Sequence, residues 1–184
     1  KGPYEEGKPF GEGPFQALAK GLEIGEKHGF AITNYDNYVG TIDLNDKEKQ
    51  LDILAHLDVV PAGDGWQTDP FGADLIDGKM YGRGTSDDKG PAVAGLYAMY
   101  AIQKAGIPLN REVRLILGCD EESGMECMKY YARHCDMPKT GFSPDANFPV
   151  INTEKGLLHL SLHGEYTAEG LEVVEINVGE RCNV

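Results

Sequence analysis

The stretch LILGCDEESG, from Leu115 to Gly124, joins an apolar run to three consecutive acids, Asp120, Glu121 and Glu122. The apolar run is typical of a buried β-strand, which we predict over 112–118. Adjacent carboxylates repel one another, and each raises the pKa values of the others. A buried strand that delivers three acids to one place therefore indicates a site where cations offset the repulsion.

Helices and strands alternate on both sides of this stretch. Hydrophobic spacing, with glycine and proline at the segment ends, predicts where each element lies. We expect helices over 14–28, 91–105 and 124–134, strands over 30–33, 38–44, 50–57 and 112–118, and a loop over 61–78. This order predicts right-handed crossovers and an α/β fold, with a largely parallel mixed sheet flanked by helices.

The C-terminal end of the sequence has a different pattern. Segments 156–166 and 171–178 alternate apolar and polar residues, which is typical of half-exposed strands. We therefore predict a boundary near 152–155, with one domain over 1–154 and the first strands of a second domain over 155–184.

Composition excludes several classes of function. The sequence has 30 acidic and 17 basic residues, and its net charge of −13 argues against nucleic-acid binding. No apolar run approaches the length of a membrane span, and the N-terminus lacks the apolar core of a signal peptide. The four cysteines form no CxxC pair, so we expect reduced thiols and a cytoplasmic protein, or one whose start has been trimmed.

Chemically reactive side chains follow the predicted strands, where open α/β sheets bind ligands. Each alone has an ordinary explanation, such as a helix cap or a turn residue. Together they form a mixed nitrogen and oxygen donor set, which suits zinc, cobalt or manganese. The set comprises His56 and Asp58 after strand 50–57, Asp87 before helix 91–105, Glu121 and Glu122 after strand 112–118, and Asp145 between two prolines.

The spacing within this set suggests a division of roles. Alternate residues of a strand share a face, so Asp58 can accept a hydrogen bond from the His56 ring nitrogen that points away from the metal. One carboxylate can bridge two cations. In the Glu121–Glu122 pair, one glutamate would bind metal while its neighbour takes a proton from a metal-bound water, whose pKa falls to about 7.

Four segments together resemble a known superfamily. ILAHLDVVPAGDGW, MYGRGTSDDKGP, CDEESG and FSPDANFPVINTEKG occur in the order and spacing of the zinc peptidases related to acetylornithine deacetylase, succinyl-diaminopimelate desuccinylase and aminoacylase. The sequences of these segments are most similar to those of the dipeptidase V branch, the carnosinase-like Xaa-His dipeptidases. The resemblance covers nearly the whole chain, from about Phe10 onward.

The resemblance implies two divalent ions, Zn²⁺ in preference to Mn²⁺ or Co²⁺, and a role for each residue. It also implies a cis peptide bond after Asp87, and a lid domain that begins at 155 and through which the full-length protein dimerises. The family's remaining histidine ligand of the second ion has no match here, so the sequence resembles a fragment that is inactive alone. The implied ligands are His56, Asp87 and Asp145 for the first ion and Asp87 and Glu122 for the second, with Glu121 as general base and Asp58 orienting His56.

The expected activity is that of a metallo-dipeptidase. A metal-bound hydroxide, generated by Glu121, would attack the amide carbonyl of a dipeptide or short peptide, and Glu121 would pass the proton to the leaving amine. One rival is an N-acyl amino-acid deacylase that uses the same site. Another is a non-catalytic metal- or peptide-binding protein, which would have no need of the base.

Overall fold

The computed structural model describes residues 1–137 and 140–156, together with Leu158, Leu160 and Ser161. The chain forms two compact units, 1–149 and 150–184, and the elements named here belong to the first. Most of the strand expected over 156–166, and all of that over 171–178, lies outside the described residues. The helices are α1 (Glu12–Lys27), α2 (Lys89–Lys104) and α3 (Glu126–His134). The strands are β1 (Ala31–Tyr35), β2 (Val39–Asp43), β3 (Lys49–His56), β4 (Asp74–Ile76), β5 (Lys79–Tyr81), β6 (Glu112–Gly118) and β7 (Gly141–Phe142).

Five strands form one mixed sheet in the order β1-β2-β6-β3-β7. Strand β3 runs parallel to β6 and β7, whereas β2 is antiparallel to both of its neighbours. The α/β class predicted from the sequence is confirmed. In the register of the central pair, His56 lies opposite Gly118, so β3 and β6 end side by side. The residues that follow these two strands therefore emerge together at one edge of the sheet.

The core lies between this sheet and its helices. In α2, the buried residues Ala92, Leu96 and Met99 recur at helical spacing and form one apolar stripe. The central strand β6 is almost entirely buried, as its apolar run indicates. Burial of apolar surface contributes about 25 cal/mol per Å² to stability. Because β3 and β6 are packed into this core, their ends are held side by side.

The segment predicted as a loop over 61–78 contains part of a short hairpin. Strands β4 and β5 pair antiparallel around a turn at Asp77 and Gly78, which both have positive φ. An Asp-Gly pair between short strands is a typical hairpin signal, and here its flanking strands have only three residues each. No helix in the described part of the chain is long and apolar enough to cross a bilayer.

Candidate metal centre

The sheet edge described above brings the predicted site residues together. His56 is the last residue of β3, and Leu57 donates its amide hydrogen to the main-chain oxygen of Gly118 at 2.8 Å. This bond fixes the end of β3 against the end of β6, from which Glu121 and Glu122 follow within four residues. Asp87 reaches the same place from the loop before α2, and Asp145 from the segment after β7.

Three carboxylates converge on one nitrogen of the His56 ring. From Nε2, the distances are 3.0 Å to Oδ1 of Asp87, 3.5 Å to Oδ2 of Asp145 and 3.9 Å to Oε2 of Glu121. The imidazole is buried, whereas the side chains of Asp145, Glu121 and Asp87 are 28%, 37% and 60% exposed. The site is thus a buried imidazole at the base of an opening lined with acids.

The other ring nitrogen of His56 faces Asp58, on the side away from the acids. Nδ1 lies 3.0 Å from the main-chain oxygen of Asp58 and 3.4 Å from its Oδ1. The sequence predicted the carboxylate as the acceptor, but the main-chain oxygen is closer. Either contact leaves Nε2 turned toward the opening, which is the orientation that metal ligation requires.

The Asp58 carboxylate is occupied by two main-chain donors. Its Oδ1 accepts the amide hydrogen of Glu121 at 3.0 Å, and its Oδ2 accepts that of Glu122 at 3.2 Å. Burial alone would raise the pKa of Asp58, but the hydrogen bonds from His56 and the Glu121 amide reverse this and lower it. One buried, ionised aspartate therefore fixes both the imidazole and the glutamate pair.

The donor set fits a divalent cation. Among the described residues, two groups present ligand atoms within 4.8 Å of one another: His56 with Asp87 and Asp145, and His56 with Glu121 and Glu122. The first group coincides with the ligands predicted for the first ion. A single ring nitrogen can donate at most one hydrogen bond. Hydrogen bonding to Nε2 therefore accounts for one of the three carboxylates around it and leaves two unexplained. Imidazole and carboxylate ligands suit zinc and similar transition metals.

Electrostatics at the site favour positive charge. Burial of His56 opposes its protonation, but the hydrogen bond to Asp58 and the charges of Asp58, Asp145 and Asp88 outweigh it and raise its pKa to about 9. Burial is the main reason that the pKa values of Glu121 and Asp145 are raised. Ionisation of these two carboxyls is therefore unfavourable without a counter-charge, and a bound cation would stabilise their ionised form.

Two further acids hold the backbone of the site, and sequence reasoning gave neither a site role. Asp120 is fully buried and accepts hydrogen bonds from the Ser123 hydroxyl at 2.6 Å and the Glu126 amide at 3.1 Å, closing the turn that carries Glu121 and Glu122. Asp88 is also fully buried and follows the predicted cis peptide bond after Asp87, which is confirmed. In the sequence, Asp88 is one of two consecutive acids and Asp120 one of three, and nothing in the pattern distinguishes them from their neighbours.

A glycine permits the close packing of the loop that carries Asp87. A Cβ added to Gly90 would lie 2.0 Å from the main-chain oxygen of Thr85, far inside van der Waals contact. The amide of Gly90 also donates a hydrogen bond to the main-chain oxygen of Gly84 at 3.1 Å. The first turn of α2 therefore sits directly against the loop, and only glycine fits there.

Sequence comparison identifies a family that matches most of the chain. The profile of Peptidase family M20/M25/M40 matches residues 53–177. A Bacillus subtilis (strain 168) protein named "Putative dipeptidase YtjP" is 47% identical over 97% of this chain and 39% of its own length. The Beta-Ala-Xaa dipeptidase of Lactobacillus delbrueckii subsp. lactis is 40% identical over 83% of this chain and 33% of its own. The chain thus spans about two fifths or less of these relatives.

Structural comparison identifies similar folds. Human carnosine dipeptidase 1 superposes with a TM-score of 0.61 at 24% identity, over 73% of this chain and 33% of that protein. The M20 family metallo-carboxypeptidase Sso-CP2 from Sulfolobus solfataricus gives a TM-score of 0.53 at 29% identity, over 61% of this chain and 27% of its own. The first likeness shows the fold alone. The second protein is named as a member of the M20 family, whose profile also matches this chain.

Proposed function

The chain belongs to peptidase family M20/M25/M40, and on that premise we propose that the protein hydrolyses the amide bond of dipeptides or short peptides with divalent metal ions. The observation that carries the proposal is the convergence of Asp87, Asp145 and Glu121 on Nε2 of His56, at 3.0–3.9 Å. A structural histidine needs one acceptor at that nitrogen, whereas a metal site needs several ligands.

The ligands divide between two ions. His56, Asp87 and Asp145 would hold the first, and Asp87 and Glu122 would contribute to the second. Zn²⁺ suits this donor set, with Mn²⁺ or Co²⁺ as alternatives. When bound, such ions polarise the substrate carbonyl and lower the pKa of a water molecule to about 7. We propose that the second ion's histidine comes from polypeptide outside this sequence, so the 184-residue chain alone should be inactive.

Glu121 is the proposed general base. Its side chain is half-buried, and its Oε2 lies 3.9 Å from Nε2 of His56, beside the proposed position of the first ion. Burial raises the pKa of this carboxyl, which makes it a stronger base than a free glutamate. Glu121 would remove a proton from the attacking water and deliver it to the amine of the departing amino acid.

Asp58 is the proposed orienting residue of this reaction. Because its carboxylate accepts the amide hydrogens of Glu121 and Glu122, it holds the base and a proposed ligand at fixed positions. Its main-chain oxygen fixes the His56 ring at the same time. These contacts support its assignment as a residue that prepares the site and does not itself touch substrate.

The substrate class is proposed from the two relatives, whose names both contain the word dipeptidase. The test is an assay of the longer polypeptide that contains this chain on dipeptides and N-acetyl amino acids, with and without added Zn²⁺, Mn²⁺ or Co²⁺. We expect metal-dependent cleavage of dipeptides. Preference for N-acetyl amino acids would support the rival deacylase, and dipeptide turnover that survives metal removal would refute the metal mechanism.

A further inference from the structure

Asp88 is a fully buried acid that lies next to the proposed ligand Asp87 in the sequence. The residue is 0% exposed, and its Oδ2 accepts the amide hydrogen of His56 at 3.1 Å. Its Oδ1 is buried and has no hydrogen-bond partner among the residues that the structure describes. Burying a carboxylate with so few partners is costly, so the one bond that it makes requires an explanation.

Helix capping does not provide that explanation. Asp88 occupies the N-cap position of α2, where an aspartate commonly accepts a hydrogen bond from an amide of the first helical turn. Here the side chain makes no such bond. Only the main-chain oxygen of Asp88 contributes to the helix, by accepting the amide hydrogen of Ala92 at 2.9 Å. The carboxylate is therefore directed to β3 and away from the helix that it precedes.

Two consecutive aspartates hold the same histidine at two points. The carboxylate of Asp88 binds the main-chain amide of His56, and the carboxylate of Asp87 lies 3.0 Å from Nε2 of its ring. The bond from Asp88 joins segments that are 32 residues apart in sequence. It thereby ties the end of β3 to the loop that presents Asp87.

We propose that Asp88 is a positioning residue, whose acceptor oxygen sets the spacing of His56 and Asp87 and so the affinity of the first site for a divalent cation. This inference rests on the proposed metal site. Metal ligands that lose a supporting hydrogen bond typically lose about 10- to 100-fold in metal affinity. The required feature is an acceptor at the position of Oδ2, which asparagine also provides.

The test compares Zn²⁺ affinity, measured by calorimetry on the 184-residue chain, in the wild type, Asp88→Ala and Asp88→Asn. Asp52→Ala is the matched control. Like Asp88, Asp52 is a buried aspartate, at 4% exposed, and it lies on β3 with His56, but its carboxylate makes no hydrogen bond among the described residues. We expect Asp88→Ala to weaken binding by about 10- to 100-fold. Asp88→Asn should stay within about fivefold of the wild type, and Asp52→Ala should match it.

Amide hydrogen exchange separates positioning from loss of structure. The His56 amide should exchange faster in Asp88→Ala and stay protected in Asp88→Asn, while amides in the middle of β6 keep their protection in both. Equal weakening in both Asp88 variants would overturn the inference, because charge and not the acceptor would then matter. Unchanged affinity in Asp88→Ala would also overturn it. If the wild type itself binds no Zn²⁺, the proposed metal site fails too.

Discussion

Asp52 provides a quantitative test of the electrostatics of this fold, at a distance from the proposed chemistry. Its carboxylate is 4% exposed, and neither oxygen has a hydrogen-bond partner among the described residues. Burial raises its pKa from 3.8 to about 6, although Arg114 and Lys49 act in the opposite direction. The folded chain therefore binds a proton at Asp52 more tightly than the unfolded chain does.

The ionisation of Asp52 lowers the stability of the fold as the pH rises. Below pH 3.8 the group is protonated in both states and contributes nothing. As the pH rises from 3.8 to about 6, the unfolded chain ionises while the folded chain stays largely protonated, so the free energy of unfolding falls; above about 6 the fall is complete. A shift of about two pKa units corresponds to about 3 kcal/mol, which is an upper limit.

Asp52→Asn removes this ionisation while keeping the shape of the side chain. At pH 8 we expect the variant to unfold at a higher urea concentration than the wild type. Its free energy of unfolding should be higher by up to about 3 kcal/mol. The difference should shrink toward zero at pH 4. Because other buried carboxyls titrate equally in both proteins, the difference between them isolates Asp52. A variant that is no more stable at pH 8, or whose advantage does not depend on pH, would contradict a raised pKa at Asp52.

Three further changes test the site. In the longer polypeptide, Glu121→Gln should retain bound metal and lose nearly all dipeptide turnover. The control Glu126→Gln, whose side chain is exposed, should retain both the metal and the turnover. Metal analysis and a dipeptide assay measure the two properties. Asp120→Ala should cost about 1–3 kcal/mol in urea unfolding, because the Ser123 hydroxyl and the Glu126 amide lose the buried carboxylate that accepts their hydrogen bonds. Gly90→Ala should cost about 3 kcal/mol and weaken Zn²⁺ binding, while Gly13→Ala, in open space, should do neither.

The central strands and the helices could be predicted from the sequence. The strands expected over 50–57 and 112–118 match β3 and β6 to within one residue at each end, because long apolar runs bounded by polar residues leave few alternatives. The hairpin at β4 and β5 was missed because glycines and prolines dominate its surroundings. Strand β7 has two residues, too few for any pattern to appear.

The sequence could predict which side chains come together at this edge of the sheet, but not which residues support them; that they bind metal stays a prediction. Positions after strand ends pointed to the residues that converge on His56, since parallel strands end at one edge of a sheet. The roles of Asp88 and Asp120 depend on which acid in a run of two or three has its side chain buried. Tertiary packing decides that orientation, and neighbouring acids such as Asp87 and Asp88 look the same in a sequence.

The number of divalent ions held tightly by the 184-residue chain is the direct test of the proposed metal centre. After dialysis against trace Zn²⁺, metal analysis should find one ion per chain, because His56, Asp87 and Asp145 form a complete first site while the second lacks its histidine. His56→Ala should abolish that ion. Two tightly held ions, or none, or an ion that survives His56→Ala, would contradict the proposed division of ligands between the two ions.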